Sequence, residues 1–128
     1  MKEKKITSSM EDYLEVIALL SEQKGVVRVK DISRLMRVKT PSVSGALAIL
    51  SSNGLVVHER YGYVELTLQG QKLAKSVKCR HDMLIKFLNE ILGVDFETAS
   101  EDACRMEHTI SPQTFNKLTE FIKSMGQL

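Results

Sequence analysis

Three features in one stretch constrain this chain more than its composition does: a break at Arg37-Val38-Lys39, a Thr40-Pro41 pair and an Asn53-Gly54 pair. Thr-Pro reads as a helix cap followed by a first-turn proline, whose missing N–H costs nothing there. Asn-Gly reads as a left-handed stop, which a residue without a Cβ adopts freely. The helix between them, ending at Ser52, follows a shorter one running from Asp31, read as its cap, to Met36. Two helices joined by so short a break form the helix-turn-helix pattern.

The flanks extend the pattern. Met10, Tyr13, Leu14, Ile17 and Leu20 recur at helical period, so a first helix is expected from Ser9, with Ser8 or Ser9 as cap, to Lys24-Gly25. Val26–Val29 suits a very short strand. Leu55–Arg60 and Tyr63–Thr67 suit two strands joined by a tight turn at Tyr61-Gly62. Helix, helix, turn, helix and hairpin make a winged helix-turn-helix over residues 9–67.

The remaining sequence reads as all helix. A long helix is expected from about Gln69 to Leu92, stopped by Gly93, with Leu73, Val77, Leu84, Phe87, Leu88 and Ile91 along one side. A second runs from about Phe96 to Thr109. A third starts at Ser111-Pro112 and carries Phe115, Leu118, Phe121, Ile122 and Met125. So few helices give a thin core, and a second copy of the chain is expected to complete it as a two-fold dimer. The expected interface is Phe115, Leu118, Phe121 and Ile122, with Met10 from the first helix. The fold class is mainly α: a winged helix-turn-helix domain over 1–70, then an all-helical domain, expected to dimerise, over 71–128.

Composition narrows the setting. The start MKEKKITSSM is basic but no apolar stretch follows it, so it does not read as a signal peptide. No apolar run approaches the ~20 residues of a membrane span. A cytoplasmic protein is expected, with its two cysteines reduced. The net charge of +2 supplies no strong overall field, so any nucleic-acid surface must be local.

Such a surface is visible around the turn. Arg28, Lys30, Arg34, Arg37 and Lys39 are placed to meet phosphates, and Arg60 and Tyr61 at the hairpin tip to meet the backbone. Thr40, Pro41, Ser42 and Ser44 open the recognition helix, with Pro41 and Val43 available to thymine methyl groups. That helix offers no long polar side chain in its first two turns, so DNA shape is expected to carry much of the specificity. A winged helix used only for protein contacts is the alternative.

A second cluster lies in DACRMEH. On a helix, Cys104, Glu107 and His108 stand at i, i+3 and i+4, which places a thiol, a carboxylate and an imidazole on one face. Asp12 and Glu15 share a face of the first helix, and His81 lies in the long one. Together these are six potential ligands of mixed N, O and S type for one or two divalent ions. Taken singly, Asp12 and Glu15 also read as first-turn acids favoured by the helix dipole, and His81 as a polar-face residue. An enzymatic use of the same groups lacks an oxyanion hole, a phosphate-cradling loop or a cleft, so no enzyme is expected.

The stretches SMEDYLEVI, TPSVSGALAILSSNGLV, LTLQGQKLAKSVKCRHDML and EDACRMEHTIS, in that order, resemble the metal-dependent repressors of the diphtheria-toxin-repressor and manganese-transport-regulator family. The resemblance covers Ser9 to Met125. It implies a homodimeric winged-helix repressor that binds palindromic operators of metal-homeostasis genes when Fe(II) or Mn(II) is plentiful. It assigns Asp12, Glu15, His81, Glu107 and His108 to the ligand positions of the manganese-type branch. Cys104 departs from that branch, which has glutamate there, and matches the iron type. Asp12 matches the manganese type, where the iron type has methionine, and Ser100 replaces an iron-type ligand histidine. Within that family the sequence to Leu128 is expected to represent the short form, which lacks the SH3-like third domain of the iron type.

A thiolate at Cys104 favours Fe(II), Co(II) or Zn(II), whereas the carboxylates favour Mn(II). The sequence leans to Fe(II), then Mn(II), with Zn(II) or Co(II) able to bind in vitro. The competing reading is a metal-independent regulator that responds to oxidation of Cys104 or to a small ligand.

Overall fold

A computed structural model describes residues 7–59 and 62–126. The chain divides into two compact units, residues 1–76 and 77–128. The elements of the first are α1 (Ser8–Lys24), β1 (Val27–Arg28), α2 (Val29–Met36), α3 (Thr40–Ser52), β2 (Val56–His58) and β3 (Tyr63–Leu66). The division falls inside α4 (Leu68–Lys86); a π-helical turn (Phe87–Ile91), α5 (Phe96–Met106) and α6 (Pro112–Ser124) follow.

In the first unit the apolar stripes of three helices meet. Leu14 and Ile17 of α1, Ile32 of α2, and Val43, Leu47 and Leu50 of α3 are fully buried together. Val27, Val56 and Val64 close the core from the sheet, whose order is β1-β3-β2 with both pairings antiparallel. Val27 pairs with Val64, and His58 with the same Val64 on the other side. The expected strand at Val26–Val29 is therefore the edge of the wing's own sheet.

Helix starts differ from the sequence expectation, for local reasons. Thr7 rather than Ser8 or Ser9 caps α1, accepting a hydrogen bond from Met10 N at 3.2 Å. Asp31 is not the cap of α2 but its third residue; its carboxylate reaches back to accept from Arg28 N at 3.1 Å. Thr40 is already helical, and Lys39 holds the cap position of α3. Gly25 (φ 80°) and Gly54 (φ 73°) stop α1 and α3 in the left-handed region, as Gly allows. The strands are shorter than expected, and the hairpin-tip residues Arg60 and Tyr61 lie outside the described residues.

The junction from wing to α4 is tightly built. Thr67 N donates to Leu55 O, the Thr67 hydroxyl donates to Gly54 O at 2.7 Å, and Thr67 Oγ1 also accepts from Gly70 N. In the second unit, Ala99 and Ala103 of α5 pack with Leu84 and Leu88. Their small side chains let α5 approach closely. Phe87 meets Phe121 of α6 edge-to-face, with centroids 6.4 Å apart. The long helix is not α-helical to Leu92: it passes into the π-helical turn after Lys86.

Candidate metal centre and nucleic-acid interface

The buried acid of the second unit is Glu107, directly after α5. It is 1% exposed. Its Oε2 lies 3.4 Å from His81 Nδ1 on α4, and its Oε1 lies 3.4 Å from His108 Nε2. Both imidazoles are largely shielded, with side chains 21% and 8% exposed.

The local sequence explains the arrangement. Ala99 and Ala103 commit one side of α5 to the core, and Glu107 continues that side by one further turn. A carboxylate in such a place is costly unless cationic partners compensate its charge. One carboxylate and two imidazoles converging out of solvent are the donors an intermediate divalent ion prefers. The residues present therefore fit a metal.

The structure brings together His81, Glu107 and His108 and leaves Cys104 exposed one turn earlier on α5. The three residues of DACRMEH thus differ in burial: Glu107 is buried, His108 half-buried and Cys104 exposed. The helix runs through Cys104 to Met106 with Glu107 as its cap, and the core takes Ala103 and Glu107 while Cys104 is exposed. Asp12 and Glu15 stand on α1, each partly buried.

In the first unit, the turn into α3 presents the expected basic and short polar side chains. Lys30, Arg34, Arg37, Lys39, Thr40, Pro41, Ser42 and Ser44 are all exposed. Val43 is not available to a base: it is fully buried beneath α3, because the helix must spend that position on the core. Arg28 is exposed but engaged. Its guanidinium sits 5.2 Å from the Tyr63 ring centroid, and Nη2 donates to the Tyr63 hydroxyl at 3.3 Å, tying β1 to β3.

Sequence reasoning missed Gly45. It lies exposed on α3, and a Cβ there would meet no atom within 4 Å. With Ser44 and Ala48 it leaves the outer face of the helix shallow. The signal was present in SVSGALA, where small residues fill every position that the apolar period does not use.

Comparison with known proteins agrees with both halves. Residues 5–64 match the iron dependent repressor N-terminal DNA binding domain, and residues 67–127 the iron dependent repressor metal binding and dimerisation domain. The HTH-type transcriptional regulator MntR of Lysinibacillus sphaericus (strain C3-41) is 36% identical over 121 residues, covering 94% of this chain and 86% of that protein. The structure of the manganese regulator SloR superposes with a TM-score of 0.77 at 31% identity, over 94% of this chain and 55% of that one. A manganese-dependent transcriptional repressor in complex with manganese gives 0.80 at 28% identity, over 93% and 53%. This chain thus spans about half the length of those two solved proteins. The chain belongs to the iron-dependent repressor family of metal-responsive transcriptional regulators.

Proposed function

We propose that the chain acts as a homodimer that represses transcription when a divalent ion, Mn(II) before Fe(II), occupies the site at His81, Glu107 and His108. The observation that carries this reading is the buried Glu107 carboxylate with an imidazole 3.4 Å from each oxygen. The exposed thiol of Cys104 moves the preference from Fe(II) toward Mn(II), because the buried donors are then nitrogen and oxygen only. The family resemblance adds Asp12 and Glu15 of α1 to the ligand set, and the proposal keeps them.

When bound, the ion supplies two positive charges that offset the buried carboxylate. His81 and His108 orient it from α4 and from the end of α5. Glu107 neutralises it out of water. Asp12 and Glu15 make the first helix of the DNA-binding unit answer to the same event. In a dimer, two recognition helices must enter successive major grooves ~34 Å apart. A coupling of about 1–3 kcal/mol in favour of that spacing suffices for a corepressor. By reciprocity, operator DNA then tightens metal binding.

On the DNA, Lys30, Arg34, Arg37 and Lys39 neutralise phosphates, and Thr40, Pro41, Ser42 and Ser44 face the groove. Arg28, Arg60 and Tyr61 are assigned to the wing side of the contact. Met10, Phe115, Leu118, Phe121 and Ile122 remain the proposed dimer contacts. Phe121 is half exposed, which suits that role, whereas Ile122 is already fully buried within the single chain. Among the described residues no helix is long and apolar enough to cross a membrane, and the proposed site of action is the cytoplasm.

The test is DNA binding under anaerobic conditions to the region upstream of the protein's own gene. Chelator-treated protein is compared with Mn(II) and Fe(II) titrations at fixed salt. Retention that rises with metal is expected, with Mn(II) effective at the free concentrations a cell supplies. Binding that chelator does not weaken, and that oxidation of Cys104 abolishes, would replace this reading with the redox one.

A further inference from the structure

Arg28 and Tyr63 are paired across β1 and β3. Both side chains stand at the surface: Arg28 is exposed and Tyr63 is 39% exposed. The guanidinium lies 5.2 Å from the ring centroid, and Nη2 donates to the Tyr63 hydroxyl at 3.3 Å. The backbone of the same residue is fixed too. Arg28 N donates to the Asp31 carboxylate at 3.1 Å, and Lys24 holds that carboxylate at 2.8 Å. An arginine at the edge of a sheet ordinarily gives up much rotamer freedom when it binds a ligand. Here the ring and the hydroxyl have already removed most of it.

The partners that hold this guanidinium are neutral. Lys24, Lys78, Arg105 and Lys117 each stand against a carboxylate. Arg28 makes no ion pair among the described residues, although Glu65, two residues beyond Tyr63 in β3, is exposed. Its charge is oriented without being compensated. A surface cation–π contact contributes little to stability, so the fold gains little from the arrangement. An arginine carries five N–H donors, and Tyr63 takes one. The others still offer the planar fork that fits two oxygens of one anion.

Two observations choose the anion. Both residues lie in the stretch 5–64 that matches the DNA binding domain. Lys30, exposed two residues after Arg28, adds positive charge beside it. A DNA phosphodiester presents two free oxygens to such a fork.

We propose that Tyr63 is a positioning residue for DNA binding: it holds the Arg28 guanidinium ready for one backbone phosphate. The proposal rests on the DNA-binding role and deepens it, because it names a residue that acts on DNA only through another. Tyr63 carries no charge and stands outside the recognition helix. Its effect is therefore on affinity and not on sequence preference.

Fluorescence anisotropy of the full chain with Mn(II) tests it over a salt series. One duplex is taken from upstream of the protein's own gene and one has an unrelated sequence. Arg28→Ala should weaken binding to both and lower the salt slope by about 0.9, the share of one phosphate. Tyr63→Leu should lose as much affinity and slope as Arg28→Ala, although it removes no charge. Tyr63→Phe keeps the ring and should stay within about threefold of wild type. In the Arg28→Ala background, Tyr63→Leu should change affinity by less than about twofold. Circular dichroism shows that each variant is folded. A wild-type slope in Tyr63→Leu would overturn the proposal, as would losses that add in the double variant. A slope loss well beyond one phosphate would also overturn it, because the whole wing would then have moved. Wild-type binding that Mn(II) does not strengthen would sink the corepressor reading, and the same variants would still decide this one. A wild-type chain that binds neither duplex would overturn both.

Discussion

Glu107 and His81 stand 3.4 Å apart, carboxylate oxygen to Nδ1, with the acid 1% exposed. A buried acid so placed serves chemistry better than it serves stability, because an apolar residue of similar volume would fill the space without a desolvation cost. Replacing Glu107 by Gln, or His81 by Ala, is expected to weaken Mn(II) binding at least about tenfold, since each removes a donor the others cannot replace. Calorimetric titration measures this, and an unchanged helical spectrum shows that the fold survives. Wild-type affinity in both variants would remove these residues from the site.

Cys104 provides the complementary test. Its thiol is exposed one turn before Glu107. Cys104→Ser is expected to leave Mn(II) affinity within about threefold of wild type, less than 1 kcal/mol by the usual conversion of affinity to free energy. A larger loss, or thiolate charge-transfer absorption on adding Co(II), would return Cys104 to the ligand set.

Acid should loosen the first unit through Asp31. Lys24, donating at 2.8 Å, holds the Asp31 carboxyl below its ordinary range, with the Arg28 backbone N–H helping and burial opposing. A carboxyl whose pKa is depressed on folding contributes stability that is fully present above its unfolded value. That contribution is lost as pH falls through the folded value, so its window lies below the ordinary aspartate range. Asp31→Asn should lower stability by about 1 kcal/mol at neutral pH, the scale of a hydrogen bond to a half-exposed lysine, and flatten this part of the profile. Urea unfolding at pH 7 and pH 3 measures both effects; equal losses at the two pH values would contradict the assignment.

Gly70 sits in the first turn of α4, where helix propensity alone favours alanine by about 1 kcal/mol. Packing reverses the sign. A Cβ at Gly70 would lie 2.0 Å from Leu55 O, a backbone atom tied by Thr67 N and unable to swing away. Gly70→Ala is expected to destabilise the protein by about 3 kcal/mol, the upper range for overpacking. A thermal midpoint at or above wild type would show that the junction yields.

Arg37→Gly should do the opposite. Releasing an L residue from φ 58° should raise stability by about 1 kcal/mol, read as a higher urea midpoint. A lower midpoint would show that the side chain contributes more to the fold than its backbone costs.

Much of this was legible in the sequence because it depends on local rules. Asn53-Gly54 and Ser111-Pro112 behave as their chemistry requires: Gly54 has φ 73°, and Ser111 accepts from Thr114 N at 3.1 Å. The buried set of α1, from Tyr13 to Leu20, follows its helical period. Other starts were misplaced because a cap is decided by which side chain reaches a free N–H. Three candidates, Thr7, Ser8 and Ser9, lay within reach of the same turn.

The site divides along the same line. The sequence by itself determined which donors exist and that Glu107 and His108 adjoin, because covalent spacing and helical period are properties of the chain. Only the tertiary structure decided that His81, on another helix, faces Glu107 while Cys104 faces solvent. Periodicity states that residues share a side of a helix, not which side the core will take. Ala99 and Ala103, packed with Leu84 and Leu88, make that choice.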